Sequence, residues 1–354
     1  MLLFNKARSH AVVSFVASGH VVIFRGSDRT PLACFRTTPG FNGARQAHAA
    51  YPTGDNRYIV VANQNGKKLE RINVDWKAET FVHDLNATLP LYGNCTTPNG
   101  VLCEDPALRP DNAPICTPNF GDPRIAFATL RGGGLFVVDY TKTPMAIVAE
   151  YDNSTIGANG CGGAAGGNHM YINSGGGAAN NLYEFRVYKF PRNGVYSGRN
   201  PPNTPRPTVV ADDRNGTRDA HGAGITRDTN GYNSVIDVYS FDTDRLVNRI
   251  DLKAANLTSD PTPDALTISP IQDHAFVSLR GAFPLSGDPH ISTGSSAGLG
   301  VLVVEGVGRS AHLQKILTIT NIVGGVNRAD PHGVDVRTTN DRCTKILSTH
   351  RRLR

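Results

Sequence analysis

Tryptophan, long apolar runs and blocks of one charge are all scarce in this 354-residue sequence. It has a single tryptophan, only 19% of its residues are charged, and no stretch approaches the ~18 apolar residues that cross a bilayer. The formal net charge is +6, and the basic excess is spread along the chain except in residues 350–354. A spread excess of this size is typical of a solvated surface. We therefore expect no membrane span and no nucleic-acid partner.

Common signatures of metal and phosphate binding are also missing. There is no Cys-x-x-Cys pair, which disfavours a zinc ribbon or a thioredoxin-type site. Residues 131–134 and 174–177 are glycine-rich, but neither run precedes a predicted helix or a phosphate-binding lysine, so both are interpreted as tight turns. The apolar start at 1–4 is soon interrupted by Lys6 and Arg8. It is therefore not predicted to be a signal peptide, and a secretion signal would have to lie outside this sequence.

Glycine is abundant, with 37 residues, and hydrophobic residues make up 39% of the chain. This mixture favours short strands joined by tight turns over long helices. Five segments share an alternating apolar run, a glycine-containing turn and usually a second apolar run. They begin at His10, Arg57, Arg124, His169 and His274. Each predicts a β-hairpin, and their recurrence predicts a repeat architecture with very little helix.

Shorter segments before and after the hairpins complete the repeat. Inner strands are predicted where short runs begin at His48, Cys161, His221, Asp264 and His332. Four strands in roughly 40–50 residues form the unit of a β-propeller. Units would start near residues 1, 46, 112, 160, 219, 262 and 330, and the fifth and seventh units are short of strands. We therefore expect one all-β domain over residues 1–354, a seven-bladed β-propeller of four-stranded antiparallel blades, some of them incomplete.

Three stretches relate this repeat to a known group of proteins: YIVVANQNGKKLERI at 58–72, FDTDRLVNRIDL at 241–252 and ISP at 268–270. The chain resembles the seven-bladed propellers of the YVTN and lactonase-like superfamily over nearly its whole length. The resemblance implies the fold only. No catalytic residue of the lactonases can be matched to a position in this sequence, and such repeats specify a fold rather than a chemistry.

Two inserts interrupt the repeat, at 86–121 and at 285–299. The first is interpreted as a surface loop, and the second, rich in Gly and Ser, is either a lid over the channel or plain surface. Three cysteines fall in the first, which predicts that a disulfide staples it; buried free thiols are the alternative. The disulfide candidates are Cys34, Cys95, Cys103, Cys116, Cys161 and Cys343, and their 15 pairings stay open. The glycosylation candidates are Asn86, Asn94, Asn153, Asn215 and Asn256, all in or beside predicted loops. Together these features predict an extracellular or secretory-pathway glycoprotein.

The starts of the inner strands lie at the mouth of the central channel in any propeller. His48, His221, His332 and Asp264 would therefore converge on one axis, where imidazole nitrogens and a carboxylate can hold a divalent metal. Such a metal could activate a bound water for hydrolysis. The alternative is that these side chains line a water-filled channel and bond to backbone groups.

Two functions follow from this sequence. The first is a binding or structural module, which associates with further copies of itself if its incomplete last blade accepts a strand from a neighbour. The second is a metal-dependent hydrolase or oxidase that uses the histidines at the channel mouth. The sequence identifies no substrate.

Overall fold

The fold was analysed in a computed structural model that describes residues 1–158, 160–174, 185–199, 204–213, 235–240, 242–253, 256–284 and 293–337. Every regular element in these residues is a strand, except for single 3-10 turns at Phe41–Gly43 and Gly306–Gly308. The predicted scarcity of helix is confirmed for this part of the chain. The described residues contain no helix that is long and apolar enough to cross a membrane.

The described residues contain five four-stranded sheets, which we number blades 1 to 5 in chain order. Blades 1 and 2 are antiparallel meanders in which each strand pairs with the next one along the chain. Blade 1 contains β1 (Leu2–Phe4), β2 (His10–Phe15), β3 (His20–Arg25) and β4 (Pro31–Arg36). Blade 2 contains β5 (Ala47–Pro52), β6 (Tyr58–Asn63), β7 (Lys68–Asp75) and β8 (Thr80–Pro90).

Blade 3 departs from the meander at both edges. Its antiparallel strands are β9 (Ile125–Thr129), β10 (Leu135–Asp139) and β11 (Ala146–Tyr151). Residues 113–118 hydrogen-bond to β9 and act as an irregular inner strand; the Phe127 amide donates to the Pro118 carbonyl at 2.9 Å. A distant segment covers the other edge, where β15 (Gly198–Arg199) pairs in parallel with β11.

Blades 4 and 5 are again antiparallel, and two smaller sheets accompany them. Blade 4 contains β12 (Gly163–Gly166), β13 (His169–Ser174), β14 (Phe185–Pro191) and β16 (Thr208–Asp213). Between blades 4 and 5 in the chain, β17 (Val235–Tyr239) pairs with β18 (Leu246–Asp251) alone. Blade 5 contains β19 (Pro263–Ile268), β20 (His274–Leu279), β21 (Gly298–Glu305) and β22 (Ser310–Thr318). A short hairpin follows, of β23 (Ile322–Val323) and β24 (Val326–Asn327).

The predicted number of seven blades is wrong for the residues that the structure describes, which form five four-stranded blades. Four of the five predicted hairpins, at His10, Arg57, Arg124 and His169, are confirmed, because each lies within a blade as two consecutive strands. At His274 the strand β20 pairs instead with β21, which begins at Gly298, and not with the residues directly after the predicted glycine turn. The shortfall lies at the fifth and seventh predicted units. The start of the fifth, with His221, is outside the described residues, and the described part of this unit contains just the two strands β17 and β18. In the seventh, residues 328–337 form no strand.

The core lies between the faces of neighbouring blades. Val12 and Ile23 of blade 1 pack against Ile59 and Ile72 of blade 2 in one buried cluster. Similar clusters join blade 2 to blade 3, blade 3 to blade 4, and blade 5 to the β17–β18 pair. Full burial of one such side chain contributes about 1.5–3 kcal/mol, so face-to-face packing is the main force that holds the sheets together.

The insert predicted at 86–121 is a surface loop only in part. It begins inside β8, and residues 91–119 run back into the core, where Leu91, Cys103, Ile115 and Cys116 are buried against blades 2 and 3. Its end provides the inner strand of blade 3. An irregular segment can be buried in this way because its backbone groups bond to the neighbouring strand.

The last described residues lie against the first ones. The Phe4 amide and the Arg8 guanidinium both donate to the Asp335 carboxylate, at 2.9 and 2.7 Å. Arg337 donates to the carbonyl of Gly26. Residues 333–337 are thereby fixed beside blade 1.

Candidate functional site

Four charged residues meet near the inner edge of blade 5, and we call them the Arg280 cluster: Arg280, Asp264, Asp330 and His332. Asp264 lies in β19, Arg280 directly follows β20, and the other two lie beyond β24. Arg280 is 1% exposed and Asp264 is 2% exposed. Charges buried this deeply are stable only when they are paired.

Arg280 holds both carboxylates of the cluster. Its Nε and Nη2 donate to the two oxygens of Asp330 at 2.5 and 2.8 Å, the parallel two-bond geometry in which arginine recognises a carboxylate. Its Nη1 donates to Asp264 Oδ2 at 2.8 Å. One guanidinium therefore bridges the second residue of β19 and the segment after β24.

His332 lies between the same two carboxylates. Its Nδ1 is 3.0 Å from Asp264 Oδ2 and its Nε2 is 3.2 Å from Asp330 Oδ2. Burial lowers the pKa of His332 and so does the Arg280 guanidinium, but the two carboxylates outweigh both and raise the pKa to about 9. At neutral pH the ring is an imidazolium, so the cluster contains two cations and two anions.

The structure thus brings two of the predicted metal ligands, His332 and Asp264, together as an ion pair with Arg280. An imidazolium has no lone pair for a metal, and a guanidinium beside the carboxylates repels a second cation. His221 lies outside the described residues. The sequence analysis missed Arg280, although a charged residue directly after the apolar run of β20 was a usable signal.

His48 is not part of the Arg280 cluster and contacts residues of blade 3 and of the segment before blade 4 instead. Its Nδ1 is 3.0 Å from the carbonyl oxygen of Ile115 and 3.9 Å from Cys161 Sγ. Cys161 is bonded to Cys116, and both cysteines are buried whereas His48 is half-buried. The potential ligand atoms of His48, Cys116 and Cys161 all lie within 4.8 Å of one another, and we call these residues the His48 group.

Four of the six cysteines form disulfides, Cys95–Cys103 and Cys116–Cys161. All three cysteines of the insert, Cys95, Cys103 and Cys116, are therefore in disulfides, and Cys95–Cys103 staples the insert as predicted. Cys34 is a free, exposed thiol on the outer strand β4, so its predicted disulfide is not formed here. Cys343 lies outside the described residues.

A buried ion pair fixes the insert to blade 3. Arg109 Nη1 donates to Glu150 Oε2 at 2.6 Å, and both side chains are almost fully buried. Thr97 and Asn99 donate to the other oxygen of Glu150. Four polar side chains satisfy one another here, which makes this a structural network, and no local sequence pattern predicts it.

Three of the glycosylation candidates, Asn86, Asn94 and Asn256, are exposed, and Asn153 is half-buried. Asn86 lies within β8 rather than in a loop. Asn215 is outside the described residues. The accessible asparagines leave the prediction of glycosylation open.

Residues 294–298 match the Gly-x-Ser-x-Gly pattern of hydrolase nucleophiles. In those enzymes the serine lies on a sharp turn between a strand and a helix. Here β21 follows instead, and the Ser296 hydroxyl donates to Thr258 at 2.8 Å. The pattern therefore forms part of a strand start and not a nucleophile elbow.

A surface cleft of about 420 Å³ opens on the outer half of blade 2, lined by residues of β7 and β8 and by Arg57 and Tyr58. Arg71 at its base donates to Asp84 at 2.6 Å and to the carbonyl of Tyr140 at 2.7 Å. Its guanidinium also lies 4.7 Å from the centre of the Tyr58 ring. The cleft is thus an open depression with a polar and aromatic lining.

Comparisons with known proteins identify the fold but no family. No protein-family model and no curated protein matches the chain. Hydrazine synthase of Kuenenia stuttgartiensis is 11% identical over 85% of this chain and 75% of its own, with a TM-score of 0.54. A functionally unknown protein of Desulfotomaculum acetoxidans is 11% identical over 90% and 83%, with a TM-score of 0.53. A putative 6-phosphogluconolactonase of Bacteroides fragilis is 10% identical over 93% and 70%, with a TM-score of 0.44. The two likenesses with TM-scores above 0.5 support the β-propeller fold and show nothing about its chemistry.

Proposed function

We propose that the protein is an extracellular, disulfide-bonded β-propeller that acts as a binding or structural module and not as a catalyst. The Arg280 cluster is the observation that supports this most. Two carboxylates and an imidazole at the predicted channel mouth are neutralised by one another and by a buried arginine. A group whose charges and hydrogen bonds are already satisfied stabilises the fold, whereas catalytic acids and metal ligands need an open position.

The two disulfides support an oxidising compartment. Disulfides persist in extracellular and secretory proteins and are rare in the cytosol, where thiols are kept reduced. Thiol labelling of the denatured, non-reduced protein tests this. At most two of the six cysteines should react, namely Cys34 and Cys343. Six reactive cysteines would place the protein in a reducing compartment.

The cleft on blade 2 is the surface we assign to binding. Ligand sites are concave and combine aromatic area with a few fixed polar groups, and the Tyr58 ring with Arg57 and Arg71 provides that combination.

A metal-dependent hydrolase or oxidase is the second candidate function. The His48 group offers it one imidazole nitrogen, but Cys116 and Cys161 are joined in a disulfide and provide no thiolate ligand in this state. Elemental analysis of the protein as purified, without reductant, separates the two candidates. A stoichiometric transition metal would favour the enzyme, and a metal-free protein would favour the binding module.

We also propose that the module associates with itself beside its incomplete last unit. Residues 328–337 form no strand, and the strands that precede them present apolar side chains to solvent. A second copy of the chain could cover this surface.

A further inference from the structure

We propose that reduction of the Cys116–Cys161 disulfide converts the His48 group into a zinc site, with Cys116, Cys161 and His48 as its three protein ligands. This inference goes beyond the binding function and does not depend on it. It would give the propeller a metal content that follows the redox state of its surroundings.

The positions of the three residues suit such a site. Their potential ligand atoms lie within 4.8 Å of one another, and the Cα atoms of the two cysteines are 5.1 Å apart. Tetrahedral zinc with Zn–S bonds of about 2.3 Å places two sulfurs roughly 3.8 Å apart. Rotation of two short side chains is enough to open the bonded sulfurs to that distance, without movement of the strands.

The fold brings the three ligands together from separate segments. His48 lies on β5, Cys116 lies in the irregular inner strand of blade 3, and Cys161 precedes β12 of blade 4. Each segment is held by its own blade, so the ligands stay close together after the disulfide opens. Gly160, next to Cys161, packs so closely against the Asn173 carbonyl of β13 that a larger residue would not fit there, which helps to hold Cys161 in place.

The site would form in two steps, reduction of the disulfide and then binding of zinc. A phosphine reductant supplies two electrons, the S–S bond breaks, each sulfur takes up a proton, and the phosphine leaves as its oxide with oxygen from water. Zinc then displaces both thiol protons and binds two thiolates. The site of Zn²⁺ and two thiolates has no net charge, which matters because Cys116 and Cys161 are 0% and 2% exposed and a buried net charge is costly.

His48 completes the site through Nδ1, the ring nitrogen nearest Cys161. That nitrogen now faces the carbonyl of Ile115 at 3.0 Å, so it carries the ring proton. To bind zinc through Nδ1, the His48 ring must carry its proton on Nε2 instead. The hydrogen bond from Nδ1 to the Ile115 carbonyl is then lost. Three protein ligands leave one tetrahedral position, which a water molecule would fill.

The experiment measures zinc in the whole chain before and after reduction with the phosphine. The protein is incubated with zinc chloride, freed of excess metal on a desalting column and analysed for bound zinc. Circular dichroism follows the β-sheet content at each step. The matched controls are the double variant Cys95→Ser/Cys103→Ser, which removes the other disulfide, and His312→Ala, which removes an exposed histidine that is not in the group.

We expect no zinc on the oxidised protein and one zinc per chain on the reduced protein and on both controls. Cys116→Ser/Cys161→Ser should bind none, and His48→Ala should bind at least about tenfold more weakly. Cobalt in place of zinc should give the intense absorption of thiolate coordination in the wild-type protein. Any of three results overturns the proposal: a reduced wild-type chain without zinc, whether folded or unfolded; undiminished zinc on Cys116→Ser/Cys161→Ser; or equal affinities of wild type and His48→Ala.

Discussion

At the scale of single residues, His332 links the stability of the fold to pH. Its pKa is about 9 in the folded chain and about 6.5 in an unfolded one. A raised folded pKa gives stability that is complete below pH 6.5 and is lost as the pH rises through 9. We expect wild type to lose on the order of 3 kcal/mol over this range. Urea unfolding at pH 6 and 9.5 measures the loss, which His332→Asn should abolish. An equal loss in both proteins would contradict the prediction.

Replacement of Arg280 should strongly destabilise the fold. Without its guanidinium, Asp264 and Asp330 keep only His332 as a charged partner within the cluster. Removal of one member of a buried charge network costs about 3–5 kcal/mol, so Arg280→Ala should lower the unfolding free energy at pH 7 by that amount. Arg124→Ala is the control. Arg124 is half exposed and lies 3.6 Å from Asp55, so its loss should cost under about 1 kcal/mol. Equal costs would show that the Arg280 cluster is not a buried network.

At the scale of elements, the two disulfides should differ in their effect on stability. They close loops of 8 and 45 residues, and the entropy of the unfolded chain falls with the logarithm of loop length. We expect Cys95→Ser/Cys103→Ser to cost about 2.5 kcal/mol and Cys116→Ser/Cys161→Ser about 4 kcal/mol. Chemical denaturation of the two variants measures both values. If the loss of Cys95–Cys103 cost more than the loss of Cys116–Cys161, the disulfide of the shorter loop would stabilise the insert by more than loop entropy predicts.

Elements with local signals could be predicted from the sequence. The hairpin at 58–75 has alternating residues and a turn within one short segment, so its pattern alone defines it. Blade 3 could not be predicted so well. Its inner strand at 113–118 has no alternating pattern, and its edge strand β15 comes from residues 198–199, far along the chain. The Arg280 cluster could not be predicted for the same reason, because residues 264, 280 and 330 are far apart in the chain and meet only after the blades have formed.

At the scale of the whole molecule, the beginning of the chain is joined to residues 333–337. Asp335 connects β1 and Arg8 to a segment more than 300 residues later. Contacts of such long range form late in folding, because the closure of a long loop costs entropy before any contact repays it. Ion pairs and hydrogen bonds of Asp335 thus connect the two ends of the described chain. They lie beside the seventh predicted unit, which has no complete sheet among the described residues.

The same end of the molecule gives the last prediction, which concerns assembly. Leu317, Ile319, Ile322 and Val323 are exposed along β22 and β23, directly before the incomplete unit. Adjacent exposed apolar side chains of this kind mark contact surfaces, and a contact that is not self-complementary would extend into a filament. We expect light scattering at micromolar concentration to find dimers or larger species, and Ile322→Lys to reduce them at least about tenfold, the equivalent of 1.4 kcal/mol. Val195→Lys, at an exposed valine elsewhere on the surface, should leave the assembly unchanged. A wild-type monomer at this concentration would refute the prediction, because the exposed apolar strands would then have no second copy to cover them.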